Sequence, residues 1–135
     1  MTPEFLAAVI DTLLPGDDAL PSGTRAGVDP TAYAAPHRAV FDAIAAQAAG
    51  EEVFVLADEV ARTAVLQMVE HTARADFRTL LTSVLTDYYE AASVLAALGW
   101  PSRPPQPTGH TVSSPDALTV ERLERVRNRG TLWRD

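Results

Sequence analysis

Apolar positions recur along this chain at intervals of three and four residues, and no stretch alternates with the period of two that marks a strand. Thr2-Pro3-Glu4 supplies an N-cap, a proline at the first helical position and an acid in the first turn. Phe5, Leu6, Val9, Ile10, Leu13 and Leu14 then share one helical face, and Pro15-Gly16 stops the helix. Residues 15–30, PGDDALPSGTRAGVDP, are turn formers and predict a loop. Asp29-Pro30 repeats the cap-and-proline opening for a second helix, which Pro36 either kinks or starts later. Val40, Phe41 and Ile44 give its buried stripe, and Gly50 ends it.

Val53 to Leu56 reads either as a short strand or as the lead-in to a helix capped by Asp58. Nothing nearby offers a strand partner, so the lead-in is preferred. Val60, Ala64, Val65, Met68 and Val69 mark that helix to about His71. Phe77, Leu80, Leu81, Val84, Leu85 and Tyr88 mark the next, and Val94, Leu95 and Leu98 a short one closed by Gly99. Trp100 then heads a segment with prolines at 101, 104, 105 and 107, which suits neither a helix nor a central strand. A last helix runs from Ser114 or Thr119 to Asn128 on Leu118, Leu123 and Val126, with Gly130 as its closing residue. The pattern predicts an all-α fold of four to five helices. Residues 1–99 form a helical body, and residues 100–135 form a proline-rich arm with a short C-terminal helix, part of the same domain.

Composition narrows this picture. With 135 residues and 47% hydrophobic content, the chain can build one core but not comfortably two. It has no cysteine, which excludes disulfides, zinc–thiolate sites and cysteine-held iron–sulfur clusters within it. Residues 1–100 hold 14 acids and 5 arginines, net -9; residues 101–135 hold 4 acids and 6 arginines, net +2. An acidic body argues against non-specific nucleic-acid binding. No basic leader, twin arginine or run of ~20 apolar residues is visible, so a cytoplasmic chain without direct membrane insertion is expected.

Candidate chemistry is sparse. Asp17-Asp18 after Pro15-Gly16 suits a hard cation but lacks the ligand spacing of a calcium loop, and a capping turn is expected. His37, His71 and His110 stand apart, and Glu70 diverges from its neighbour His71 on a helix. No serine sits in a nucleophile elbow, and the glycines lack phosphate-loop spacing. No catalytic, cofactor-binding or metal-ligating residue is assigned. Of Tyr88-Tyr89, one ring is expected in the core and the other outside, because adjacent helix positions diverge by about 100°.

Several segments, taken together in order, resemble one family. Ile10-Asp11-Thr12-Leu13-Leu14-Pro15-Gly16-Asp17-Asp18 resembles the opening of the gluconate 2-dehydrogenase subunit 3 family. Pro21-Ser22-Gly23 with Ala26-Gly27-Val28 is similar to its second signature, and Tyr88-Tyr89 with Leu98-Gly99-Trp100-Pro101 to its third. Val126-Arg127-Asn128-Arg129-Gly130 to Trp133-Arg134 is similar to its usual ending. The resemblance implies a small subunit that is not an enzyme on its own. Such a subunit binds and stabilises the FAD-dependent, glucose–methanol–choline-type catalytic subunit of a sugar, sugar-acid or polyol dehydrogenase. It implies FAD in the partner and no cofactor in this chain, and some complexes of the family add a cytochrome c subunit. Many members carry a twin-arginine signal that this chain lacks. The expectation is therefore cytoplasmic, unless the partner carries a signal to the periplasm.

Partner contacts are expected at Trp100, Arg103, Trp133 and Arg134, with Tyr89 beside them. Tryptophan and arginine anchor interfaces, and a proline-rich segment loses little entropy on docking. Two alternatives stand beside this reading. One is a self-associating helical domain with no flavoenzyme partner, its arm wrapped on its own body or on a second copy. The other is a small enzyme or ligand-binding protein with its site between helices.

Overall fold

The computed structural model describes residues 1–100, 109 and 113–129. The chain divides into two compact units, Met1–Ser102 and Arg103–Asp135. The described residues are helical and contain no strand, so the chain is all-α. They form eight α-helices and one 3-10 turn rather than four to five helices. The excess is in short elements. Gly23–Ala26 (α2), Glu51–Leu56 (α4) and Ala92–Ala97 (α7) each span too few turns for a 3.6-residue period to repeat.

Pro3–Leu13 (α1) starts as its sequence dictates: the Thr2 hydroxyl accepts from the Phe5 amide, and Pro3 opens the first turn. Phe5, Leu6, Val9 and Ile10 are buried, and α1 packs against α2, the 3-10 turn, α4 and α5. Phe5 meets Phe41 and Phe54 edge-on, with ring centroids 6.3 and 5.6 Å apart. One apolar cluster joins these side chains to Tyr33, Leu66, Phe77, Val84 and Val94.

Asp29-Pro30 opens the 3-10 turn Pro30–Tyr33 instead of the second helix, and Asp29 caps it by accepting from the Thr31 amide. The helix itself, Arg38–Gln47 (α3), starts only beyond Pro36. Val53–Leu56 is neither strand nor lead-in but part of α4, which buries Phe54. Asp58 caps Glu59–Thr72 (α5) through the Ala61 amide, as expected. The buried stripe of α5 is rotated from the expected one: Leu66 and Val69 are buried, while Val60 is 79% exposed and Met68 48%. Helix α6, Arg74–Glu90, buries Phe77, Leu80, Val84 and Tyr88. Helices α3, α5 and α6 pack on one another.

In the second unit, Ala117–Asn128 (α8) is capped by Asp116, whose carboxylate accepts from the Thr119 amide at 2.7 Å. Its start falls between the two positions expected. Gly130, the expected closing residue, lies outside the described residues, as does the proline segment 101–108.

Candidate functional site

Three of the segments behind the family resemblance meet in space; the last, 126–134, belongs to the second unit and lies partly outside the described residues. The Asp11 carboxylate of α1 accepts from the Thr24 amide at 2.9 Å, and the Thr24 hydroxyl lies 2.7 Å from Asp11 Oδ2. The Gly23 amide donates to the Leu14 carbonyl at 2.9 Å. This pairing demands glycine, because a Cβ at position 23 would stand 2.7 Å from Ile10 Cγ2. The Tyr88 hydroxyl crosses from α6 to donate to the Pro21 carbonyl at 2.7 Å. The Ser93 hydroxyl of α7 donates to the Ala26 carbonyl at 3.1 Å. The opening, second and third signatures therefore form one clasp that fixes α2 between α1 and the α6–α7 corner.

The turn Pro15-Gly16-Asp17-Asp18 belongs to the same clasp. Asp17 Oδ1 accepts from the Ala19 and Leu20 amides, both at 2.7 Å. These two backbone donors, Leu20 first, hold its carboxyl below the usual aspartate range. The carboxylate is engaged in capping, and no group of three metal-ligating side chains gathers among the described residues.

Of the expected partner contacts, the described residues include Tyr89 and Trp100; Arg103, Trp133 and Arg134 lie outside them. Tyr88 is buried and Tyr89 is 51% exposed, its ring edge-on to Tyr88 at 5.4 Å. Helix α7 ends in a two-bond cap. The Gly99 amide donates to the Ala96 carbonyl at 3.0 Å, and the Trp100 amide to the Leu95 carbonyl at 2.8 Å, with Gly99 at φ 73°. The backbone of Trp100 is thus fixed, yet 67% of the residue is exposed.

A second surface escaped the sequence reading. Where α4 turns into α5, Val53, Leu56 and Val60 are all exposed, the last two by 79%. Glu51, Glu52, Asp58 and Glu59 surround them in sequence, and Glu4 of α1 joins the rim of a cleft of about 470 Å³ floored by Val55 and Leu56. The Met1 ammonium pairs with Glu51 at 3.1 Å, and the local arginine, Arg62, turns inward. Its guanidinium donates to the Phe54 and Val55 carbonyls at 3.1 and 2.5 Å, capping the end of α4 beside the Phe54 ring. The string EEVFVLADEV showed the acids. It did not show that the valines and leucine among them stay outside.

Among the described residues, the two depressions beside α5 and α6 assemble no reactive constellation. One groove along α6 is lined by Arg74, Ala75, Arg78, Thr79, Thr82 and Ser83. Its three hydroxyls donate to carbonyls one turn back on the same helix, at 2.9 to 3.1 Å. Gln67, Glu70, His71 and Arg74 line a second, with His71 exposed at the end of α5. His37 lies beside the Tyr33 ring, and His110 lies outside the described residues. Compared with known protein families, curated proteins and solved structures, the chain matches none.

Proposed function

We propose that this chain is a non-catalytic small subunit that binds and stabilises a large FAD-dependent oxidoreductase subunit of the glucose–methanol–choline type, acting on a sugar, sugar acid or polyol. The observation that carries this reading is Trp100. Backbone hydrogen bonds from Gly99 and Trp100 hold the turn at the exit of α7, and yet Trp100 is left largely exposed. A large aromatic that is held in place but left open is the form an interface anchor takes before its partner arrives. Tyr89, half exposed at the end of α6, adds a second aromatic to the same unit.

The clasp supports the reading in a different way. Asp11, Pro21, Gly23 and Tyr88, all in segments that resemble the family, hold α2 against α1 and α6 in the unit that carries Trp100. In this reading the flavin belongs to the partner, and this chain contributes a surface. Cytochrome c joins only as a further subunit of the assembled complex, and the compartment follows the partner's signal.

The test is co-expression with the product of the adjacent reading frame, where that is a flavoenzyme, followed by affinity purification and gel filtration. A stable complex with raised yield of FAD-loaded large subunit is expected. A neighbouring flavoenzyme that neither co-elutes nor gains stability overturns the reading.

A further inference from the structure

Helix α8 exposes every residue it contains. At 100° per residue, Leu118, Thr119, Val120, Leu123 and Val126 occupy one broad face, with Leu123 and Val126 near its middle. Arg122 and Arg127 fall inside that arc, Arg122 between Leu118 and Val126 and Arg127 between Leu123 and Val120, so they flank a narrower strip of Val126, Thr119 and Leu123, while Glu121, Glu124 and Asn128 lie opposite. Arg125 is engaged with Glu121 at 2.7 Å on the polar side. A twelve-residue helix with an Asp cap and one such ion pair is marginal by itself in water. Its apolar face has to be covered by something acidic at the edges and apolar in the middle.

The α4–α5 corner has that composition with the signs reversed. Val53, Leu56 and Val60 are its exposed apolar residues, and Glu4, Glu52, Asp58 and Glu59 are exposed as well; Glu4 and Glu52 line one depression with Leu56, and Glu59 lines the next with Val60. The local arginine is turned inward onto the Phe54 and Val55 carbonyls, so the acids are not neutralised by it. We propose that two copies of this chain pair by reciprocal docking, α8 of each copy lying on the α4–α5 corner of the other. The arginine borders of α8 then face the acidic rim, and Leu123 and Val126 cover Leu56 and Val60.

The choice of a second copy rests on complementarity. The two surfaces match in sign and in apolar character, and every copy carries one of each. Two such contacts close under a twofold axis. The pairing does not depend on the flavoenzyme reading, and its test uses this chain alone.

Sedimentation of the isolated full chain from micromolar to near-millimolar concentration should show a monomer–dimer equilibrium weakened by salt. The double reversal Arg122→Glu with Arg127→Glu should weaken it by about tenfold or more, as should Glu52→Arg with Glu59→Arg. All four side chains are exposed, and circular dichroism confirms that each variant remains helical. The two sets combined in one chain should restore dimerisation to within about threefold of the parent. A monomer at every concentration overturns the proposal, and so does a dimer indifferent to both reversals or a combined variant that is not rescued.

Discussion

Ala49 holds φ at 61° where α3 ends, the one non-glycine residue with positive φ among the described residues. It takes the role that Gly99 takes after α7. The Ala49 amide donates to the Ala46 carbonyl, and the following Gly50 amide to the Ala45 carbonyl at 2.8 Å. An L-residue in this region costs about 1–2 kcal/mol, partly offset by the extra freedom glycine would have when unfolded. Ala49→Gly should therefore stabilise the chain by about 1 kcal/mol and raise the melting temperature by roughly 4 °C. Sequence reasoning assigned the stop to Gly50, one residue late, because it looked for glycine rather than for the geometry. The tyrosines carry a second prediction at this scale. Burial first, then the hydrogen bond to Asp87, pushes the Tyr33 hydroxyl above the ordinary tyrosine range, and burial raises Tyr88 in the same direction. A folded pKa above the unfolded one gives stability that is whole below about pH 10 and lost as pH climbs through the folded value. With no lysine or cysteine in the chain, tyrosines dominate side-chain titration there. Urea midpoints should fall above about pH 10, and Tyr33→Phe should flatten that fall. An unchanged slope in Tyr33→Phe would sink the argument.

Among the elements, α5 shows what periodicity leaves open. A helix was legible from Asp58 onward, and the cap is where the sequence puts it. Its rotation was not legible, since Val60, Ala64 and Met68 make as regular a stripe as Val65, Leu66 and Val69. Packing of α3 and α6 on one side selected the second stripe, and Arg62 closed the end of α4 beside it. Leu66→Ala should cost about 2–5 kcal/mol in chemical unfolding. Val60→Ala should stay within about 0.5 kcal/mol for the isolated monomer, because the side chain is already in water. Equal losses at both positions would mean the stripe is assigned the wrong way round. The short helices α2 and α4 were missed for a related reason. Neither repeats a turn often enough to show a period, and each is held by long-range bonds, Asp11 to Thr24 for α2 and Thr2 to Glu51 for α4.

For the whole molecule, the relevant feature is the division of charge and surface. Residues 1–100 are strongly acidic and residues 101–135 mildly basic. The first unit exposes Trp100 and an acidic apolar corner, and the second exposes an arginine-bordered helix. If the indole anchors a flavoenzyme partner, Trp100→Ala should weaken that complex by about 30-fold, the effect of losing roughly 2 kcal/mol at an interface centre. His110→Ala should weaken it less. Calorimetric titration of the purified subunits measures both, and equal, negligible changes would remove Trp100 from the interface.

The sequence by itself determined the helical class, the caps at Thr2 and Asp58, the glycine stop at Gly99 and the inward–outward split of Tyr88 and Tyr89. Each follows from local rules of period, capping or steric freedom that need only a few neighbouring residues. Tertiary structure decided which apolar side chains stay in water. Trp100 is left open and Leu66 is not, Val60 and Leu56 are uncovered, and the signature segments close on one another through Tyr88 and Pro21. Those outcomes depend on which elements arrive from elsewhere in the chain, and hydrophobicity along a helix does not record what will stand opposite it.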